Sequence, residues 1–182
     1  MLLETVLPLE QAPETLYALH QRVWRMLWSS SDQGRDYLYA LDRARGELYV
    51  RTTNARESIS GWREMPPLVQ GRRYVAVGAL AIDATRTRVR GQETLGWRHP
   101  VVLDRRVRPM FELFMRLDSL SIRPARAEPF GKDGHQRIYF TPLHVRAEGT
   151  VTDAAAANSA LERGLGRARA FGFGTLHFAP ID

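Results

Sequence analysis

The sequence predicts an α+β fold made of two tandem ferredoxin-like domains, each with the element order βαββαβ. Segments of strand and helix character follow that order in the first half of the chain, and a looser version of it recurs in the second half. A length of 182 residues is sufficient for two small domains. We therefore expect an N-terminal domain at residues 1–85, a linker at 86–100 and a C-terminal domain at 101–182.

The first half of the chain contains one amphipathic helix among several strand candidates. Residues 2–8 predict a short strand, and a helix is expected to begin near Pro13, because proline suits a first turn. Apolar residues recur every three or four positions along this helix, at Leu16, Leu19, Val23 and Leu27. Further strands are predicted at residues 37–42, 47–53 and 73–82. Residues 54–72 show no regular pattern.

The second half repeats this order after a polar, arginine-rich stretch. A helix is predicted from about Pro109, since proline is tolerated better in a first turn than in a helix interior. A second helix runs through AAAANSALERGLG, where Thr152 or Asp153 can cap its N-terminus. Strand candidates lie at residues 119–127, 136–151 and 174–179.

The composition indicates a partner with many negative charges. The formal net charge is +6 and the pI is about 10.3, and Lys132 is the one lysine among 26 basic residues. Guanidinium groups suit phosphates, which favours nucleic acid. The lack of cysteine excludes disulfides, thiol catalysis and cysteine-based zinc sites. No long apolar run or basic leader is present, so we expect a cytoplasmic protein without a membrane span.

The first segment with chemical potential is LYALHQRVW, residues 16–24, on the first predicted helix. Tyr17 and His20 lie three positions apart and so share one side of the helix. His20 is at the edge of the apolar stripe, where a side chain is held in place yet reachable. Imidazole exchanges protons near neutral pH, which suits general acid–base catalysis. The alternative is a half-buried histidine with a structural hydrogen bond.

The second segment is GLGRARAFGFGTLHFAP, residues 164–180, between a predicted helix and the last strand. Its four glycines flank two arginines, in the order Gly164, Gly166, Arg167, Arg169, Gly172 and Gly174. We call residues 164–174 the glycine loop. Glycine permits a positive φ and close backbone approach, so free N–H groups can face phosphate oxygens. The alternative is a tight turn that packs the helix onto a sheet.

A third segment, PFGKDGHQR at residues 129–137, predicts a turn with a basic tip. Lys132, His135 and Arg137 provide its charge, and Arg126 precedes it. A solvated hairpin end is the alternative reading. Elsewhere the sequence contains no clustered carboxylates, no pair of histidines with metal-ligand spacing, no GxSxG motif and no phosphate-binding Walker loop. We therefore expect neither a metal site nor a cofactor.

The first two segments together resemble the CasE family of CRISPR-associated endoribonucleases, within the RAMP proteins of type I-E or related type IV systems. The matching residues are Leu16, Tyr17, Leu19, His20, Gln21, Trp24, the run Arg35–Tyr39 and the loop ending at Leu176–Pro180. The resemblance implies that His20 is catalytic, that Tyr17 assists it, and that the fold has two ferredoxin-like domains. It also implies a repeat hairpin of precursor RNA as substrate and other surveillance-complex subunits as partners, with a monomer when free.

This resemblance, together with the lack of a predicted metal site, predicts a cut in which the RNA's own 2′-hydroxyl attacks the adjacent phosphorus. His20 can serve as general base or general acid, and Arg22 stabilises phosphorane charge if it faces the site. The predicted RNA-binding residues are Arg22, Arg126, Lys132, Arg137, Gly164, Gly166, Arg167, Arg169, Gly172 and Gly174. Two alternatives remain open, namely a RAMP subunit that binds guide RNA without cutting it and a small-molecule enzyme on a ferredoxin-like fold.

Overall fold

The computed structural model describes residues 1–9, 15–27, 36–81, 84–86, 100–125, 128–130 and 138–182. The strands in these ranges are β1 (Leu3–Pro8), β2 (Tyr37–Asp42), β3 (Glu47–Thr52), β4 (Arg63–Glu64), β5 (Arg73–Leu80), β6 (Ala84–Arg86), β7 (Met115–Pro124), β8 (Glu128–Phe130), β9 (Ile138–Phe140), β10 (Leu143–Val151) and β11 (Leu176–Pro180). The helices are α1 (Leu16–Leu27), α2 (Pro100–Glu112) and α3 (Ala154–Arg163). None of these helices is long and apolar enough to cross a membrane, judged over the residues the structure describes.

The first sheet has the antiparallel strand order β2-β3-β1-β4 and is covered by α1. The predicted apolar stripe of α1 is confirmed, because all four of its members are buried. They pack largely against Tyr39, Leu48 and Val50 of the sheet. The short edge strand β4 lies in the stretch for which the sequence predicted no regular structure. Residues 53–62, between β3 and β4, form turns and irregular backbone.

The second sheet has the order β11-β5-β10-β7, again antiparallel. Its chain order is β5-α2-β7-β10-α3-β11, which is the βαββαβ order of a ferredoxin-like domain. Both helices contribute to one core on a single face of the sheet, with Leu103, Val107 and Phe111 from α2 and Ala157 and Leu161 from α3. The predicted α+β fold with tandem ferredoxin-like units is confirmed. A small third sheet has the order β6-β9-β8.

One part of the predicted domain division is wrong. Residues 73–82 were assigned to the N-terminal domain at 1–85, but β5 is a central strand of the second sheet, between β11 and β10. The fourth strand of the first sheet is instead β4, whose Glu64 pairs with Leu3 of β1. The physical reason is that the composition of a segment predicts that it forms a strand but does not determine which other strand it pairs with. The two sheets therefore divide between Glu64 and Arg73.

Two prolines also change the predicted elements. Helix α2 begins at Pro100, so this proline takes the first-turn position that the sequence reading gave to Pro109. Pro109 lies in the last turn of the same helix. The strand predicted at 136–151 divides into β9 and β10 at Pro142, which has no N–H for a ladder bond. The predicted cap of α3 is confirmed at Asp153, whose carboxylate accepts a hydrogen bond from the Ala156 N–H at 2.9 Å.

A buried arginine joins the two sheets. The side chain of Arg51 on β3 is 1% exposed and donates to the Glu4 carboxylate at 2.7 and 3.2 Å. Its remaining terminal nitrogen donates to the carbonyl oxygens of Leu161 and Leu176, both at 3.0 Å. Burial lowers the pKa of the guanidinium, and the Glu4 charge opposes that effect. Because Leu161 and Leu176 flank the glycine loop, Arg51 fixes both ends of that loop relative to the first sheet.

The same interface holds His177 on β11. Its ring meets Tyr49 edge to face at 4.9 Å, and Nδ1 lies 3.9 Å from the Glu4 carboxylate. Burial lowers the pKa of His177, the nearby Arg51 charge lowers it further, and Glu4 raises it. Burial therefore favours the neutral form of His177 at this interface.

Candidate active site

His20 and the glycine loop meet in the folded protein, although they lie at opposite ends of the sequence. His20 is half-buried on α1, and its Nδ1 is shielded from solvent. Its ring meets Phe171 of the loop edge to face, with centroids 5.3 Å apart and planes at 72°. Trp24, one turn further along α1, lies 6.2 Å from the same ring. The imidazole is therefore held by aromatic contacts from both the helix and the loop.

The four loop glycines allow close packing within the protein. All have positive φ, between 72° and 86°. A Cβ at Gly172 would lie 2.8 Å from the Tyr39 ring, and one at Gly164 would lie 2.8 Å from the Gly174 carbonyl oxygen. Gly166 packs against the Ala81 carbonyl and Gly174 against that of Leu165. The glycines thus shape the loop, as the packing-turn alternative requires. Their contact with RNA stays a prediction.

Several loop amides that we expected to face phosphates already have partners. The N–H groups of Arg167 and Gly174 donate to the carbonyl oxygens of Ala81 and Ala79, at 2.9 and 2.7 Å. The N–H of Leu165 donates to the Gly174 carbonyl at 2.9 Å. For these three amides the expected phosphate cradle is wrong, because the end of β5 and the loop itself satisfy them. These three amides are satisfied within the protein, and basic side chains are the other groups of this loop that suit a phosphate.

The loop arginines provide such side chains. Arg167 and Arg169 are both exposed, and Arg169 also donates to the Arg163 carbonyl at 2.9 Å, which satisfies one group at the end of α3. These three arginines border a groove of about 720 Å³ together with Asp36 and Glu162. Three guanidinium groups against two carboxylates leave this groove positive. We call it the arginine groove.

Tyr17 and Arg22 occupy different positions relative to His20. Tyr17 lies one helical turn before His20, about 60° around the helix axis from it, and is half-buried. Arg22 is exposed and lines a shallow surface groove with Tyr17, Gln21 and other α1 residues. Two positions on an α-helix correspond to about 200° of rotation, so Arg22 is directed away from the His20 side. The structure does not bring Arg22 to His20.

The comparisons with known proteins identify the family and the fold of the chain. A family model described as "CRISPR associated protein" matches residues 81–180, more than half of the chain. The chain belongs to this CRISPR-associated protein family. The matched region contains α2, α3 and the whole glycine loop. No curated protein sequence matches the chain significantly.

Solved structures of CRISPR-associated proteins share the fold over the full chain. Cas6e from Escherichia coli K-12 aligns with a TM-score of 0.71 at 17% identity and covers 100% of both chains. Thermus thermophilus Cse3, bound to an RNA representing a pre-cleavage complex, aligns with a TM-score of 0.72 at 20% identity, over 98% of this chain and 99% of that one. A chain of a CRISPR RNA-guided surveillance complex aligns with a TM-score of 0.69 at 20% identity, over 98% and 100%.

The remaining predicted site residues of this CRISPR-associated protein lie outside the described part of the chain. Arg126, Lys132, His135 and Arg137 belong to residues 126–127 and 131–137. Their role in RNA binding stays a prediction. Among the described residues, no group of three or more histidine, aspartate or glutamate side chains is arranged to hold a metal ion.

Sequence reasoning missed two residues of the site. Tyr39 is fully buried on β2 and contacts the glycine loop, and Phe171 contacts His20. The sequence does contain a signal for Phe171, because a large aromatic residue in the run AFGFG needs a packing partner. Tyr39 was noted only within the run Arg35–Tyr39 of the family resemblance, and its contact with the loop was not predicted because its partner lies 131 residues away.

Proposed function

We propose that this protein cuts the repeat hairpins of CRISPR precursor RNA and remains bound to the mature guide RNA as a subunit of a surveillance complex in the cytoplasm. The observation that supports this most is the contact of His20 with Phe171. It places a proton-transferring side chain where α1 meets a basic loop, in a member of the CRISPR-associated protein family. Two proteins of the same fold are described as an RNA-bound Cse3 and as part of a surveillance complex.

The proposed reaction uses a nucleophile supplied by the substrate. The 2′-hydroxyl attacks the adjacent phosphorus, the 5′-oxygen leaves, and a 2′,3′-cyclic phosphate forms. His20 either removes the proton from the 2′-hydroxyl or gives one to the leaving oxygen, a role that contributes roughly 10²–10⁴ in rate. Since Nδ1 is shielded from solvent, we assign proton transfer to Nε2. Tyr17, one turn earlier, orients the reacting groups.

Binding is proposed to depend on phosphate contacts rather than on base reading. Duplex RNA is recognised chiefly by its shape and its backbone, and the protein has a net charge of +6. The arginine groove borders the loop that contacts His20. An RNA strand held by Arg167 and Arg169 would therefore pass close to the catalytic side chain.

Replacing both Arg167 and Arg169 with alanine should weaken hairpin binding and flatten its salt dependence. Each lost phosphate contact reduces the slope of log K against log salt by about 0.7–0.9. Filter binding or fluorescence anisotropy at several salt concentrations measures both quantities. The matched control replaces Arg116 and Arg123, two exposed arginines on β7, and removes the same charge. Equal losses in the two double variants would show that the arginine groove has no special role.

Cleavage should persist in excess EDTA. The imidazole of His20 and the 2′-hydroxyl of the RNA together supply the proton transfer and the nucleophile that the proposed reaction needs. A single-turnover assay with a repeat RNA from the organism's own CRISPR arrays measures this. The activity in EDTA must disappear in the His20→Ala protein, which assigns it to this site rather than to a contaminating nuclease. Activity that EDTA abolishes and magnesium restores would contradict the proposal.

A further inference from the structure

We propose that Tyr39 is a positioning residue for His20 and acts on it through the glycine loop. This inference rests on the proposed function, since it concerns the alignment of the same imidazole. Tyr39 belongs to β2 of the first sheet and its side chain is 0% exposed. Its hydroxyl donates to the carbonyl oxygen of Ala170 in the loop, at 3.0 Å.

Tyr39 makes one further contact with the glycine loop and one with the residue just after it. The ring packs so closely against Gly172 that a Cβ there would lie 2.8 Å from Cε2 of the tyrosine. The backbone carbonyl of Tyr39 accepts a hydrogen bond from the Thr175 hydroxyl at 2.9 Å. Ala170 and Gly172 are the two neighbours of Phe171. Tyr39 thus fixes the backbone on both sides of the residue that contacts His20.

Phe171 transmits this placement to the imidazole. The Phe171 ring meets that of His20 edge to face, with centroids 5.3 Å apart. A displacement of the loop backbone therefore moves the Phe171 ring relative to the imidazole. The required precision is high, because a misplacement of about 1 Å in a catalytic arrangement can cost about 100-fold in rate. Among the described residues, Trp24 also contacts the His20 ring, from the same helix. Phe171 supplies a contact that depends on the rest of the fold.

The loop needs an anchor because its backbone is strained. Ala168 has a φ of 55° and a ψ of 27°, in the left-handed region that residues with a Cβ rarely adopt. Such conformations persist only where surrounding contacts enforce them, and they are concentrated at functional sites. The Phe171 N–H donates to the Ala168 carbonyl at 2.8 Å. The strained residue Ala168 is thus hydrogen-bonded to Phe171, which contacts His20.

Tyr39→Phe tests this role, because it removes the hydroxyl and keeps the ring. The matched control is Tyr74→Phe, which removes another buried hydroxyl that accepts a hydrogen bond from the Val69 N–H at 3.1 Å. Tyr74 lies in the core of the second sheet. Four quantities are measured for each protein, namely the single-turnover cleavage rate at saturating protein, the Kd for the repeat hairpin, the Tm and the NMR shifts of the His20 imidazole.

We expect both variants to lose a similar, small amount of thermal stability. Tyr39→Phe should also cut about 10- to 100-fold more slowly at saturation with a Kd within about threefold of wild type, as expected for lost alignment. Its His20 resonances should shift, whereas Tyr74→Phe should leave both the rate and the resonances unchanged. Phe171→Leu removes the edge contact and leaves Tyr39 intact. It should likewise slow cleavage at saturation while leaving the Kd for the hairpin nearly unchanged.

Three results would overturn the inference: wild-type cleavage by Tyr39→Phe, equal losses of rate and affinity, or unchanged His20 resonances in both loop variants. If Tyr39→Phe does not fold, Phe171→Leu decides between the same outcomes. A wild-type protein that binds the hairpin without cutting it would refute the proposed function instead. In that case the His20 resonances still show whether Tyr39 controls the position of the imidazole.

Discussion

Replacing His20 with alanine should abolish cleavage of the repeat hairpin while leaving its binding within a few-fold of wild type. The lost imidazole is the group proposed to move protons, and general acid–base catalysis contributes roughly 10²–10⁴ in rate. Binding should change little, because the substitution leaves in place all the basic groups proposed to hold the RNA, Arg167 and Arg169 among them. Single-turnover rates and anisotropy titrations with the same RNA measure the two effects separately.

A matched histidine variant makes this test specific. His144 is exposed on β10 of the second sheet, and His144→Ala should cut at the wild-type rate. The Tm of His20→Ala checks that the loss does not follow from unfolding, because the ring also contacts Phe171 and Trp24. A folded His20→Ala protein that cuts at near wild-type rate would remove His20 from the mechanism. It would favour a half-buried structural histidine instead.

A repeat RNA with a single deoxyribose on the 5′ side of the cut should bind and not be cleaved. The proposed reaction takes its nucleophile from this 2′-hydroxyl, so the substitution removes the attacking atom. In the ground state the same oxygen is worth at most one hydrogen bond, about 0.5–1.5 kcal/mol, so the affinity should fall by about tenfold or less. Cleavage and binding assays on the same oligonucleotide measure both effects.

Moving the substitution supplies the control. A deoxyribose one nucleotide away from the cut should leave cleavage near the wild-type rate, because that hydroxyl is not in line with the scissile phosphate. The blocked RNA should also inhibit cleavage of normal RNA competitively. If the RNA that lacks the adjacent 2′-hydroxyl is cut at a comparable rate, water is the nucleophile and the proposed transesterification is wrong.

The sequence predicted local structure well where one pattern determined it. The stripe on α1 is buried as expected because its spacing matches one side of a helix and nothing competes with it. Asp153 caps α3 because its carboxylate can satisfy an otherwise unpaired N–H. The presence of both His20 on the first helix and a glycine loop near the C-terminus was also visible in the sequence. It indicated the CRISPR-associated family to which the chain belongs.

Long-range partners were not predictable from the same patterns. The strand character of β5 was clear, but strand composition does not specify which sheet the strand joins. The glycines of the loop suited either a phosphate cradle or a tight packing turn, because glycine permits close approach. The groups that approach are Tyr39, Ala81 and neighbouring loop carbonyls of the protein itself. Distinguishing a ligand from a protein partner requires the tertiary structure.

The pairing of α1 and β2 with the glycine loop also sets the order in which the proposed site can form during synthesis. Tyr39 is hydrogen-bonded to residues that follow it by 131 and 136 positions. A growing chain therefore contains His20 long before Phe171 exists to hold it. Contacts this distant in sequence also form slowly during folding. Under the proposed function, His20 can therefore be held in position for cleavage only after the last strand has joined the second sheet.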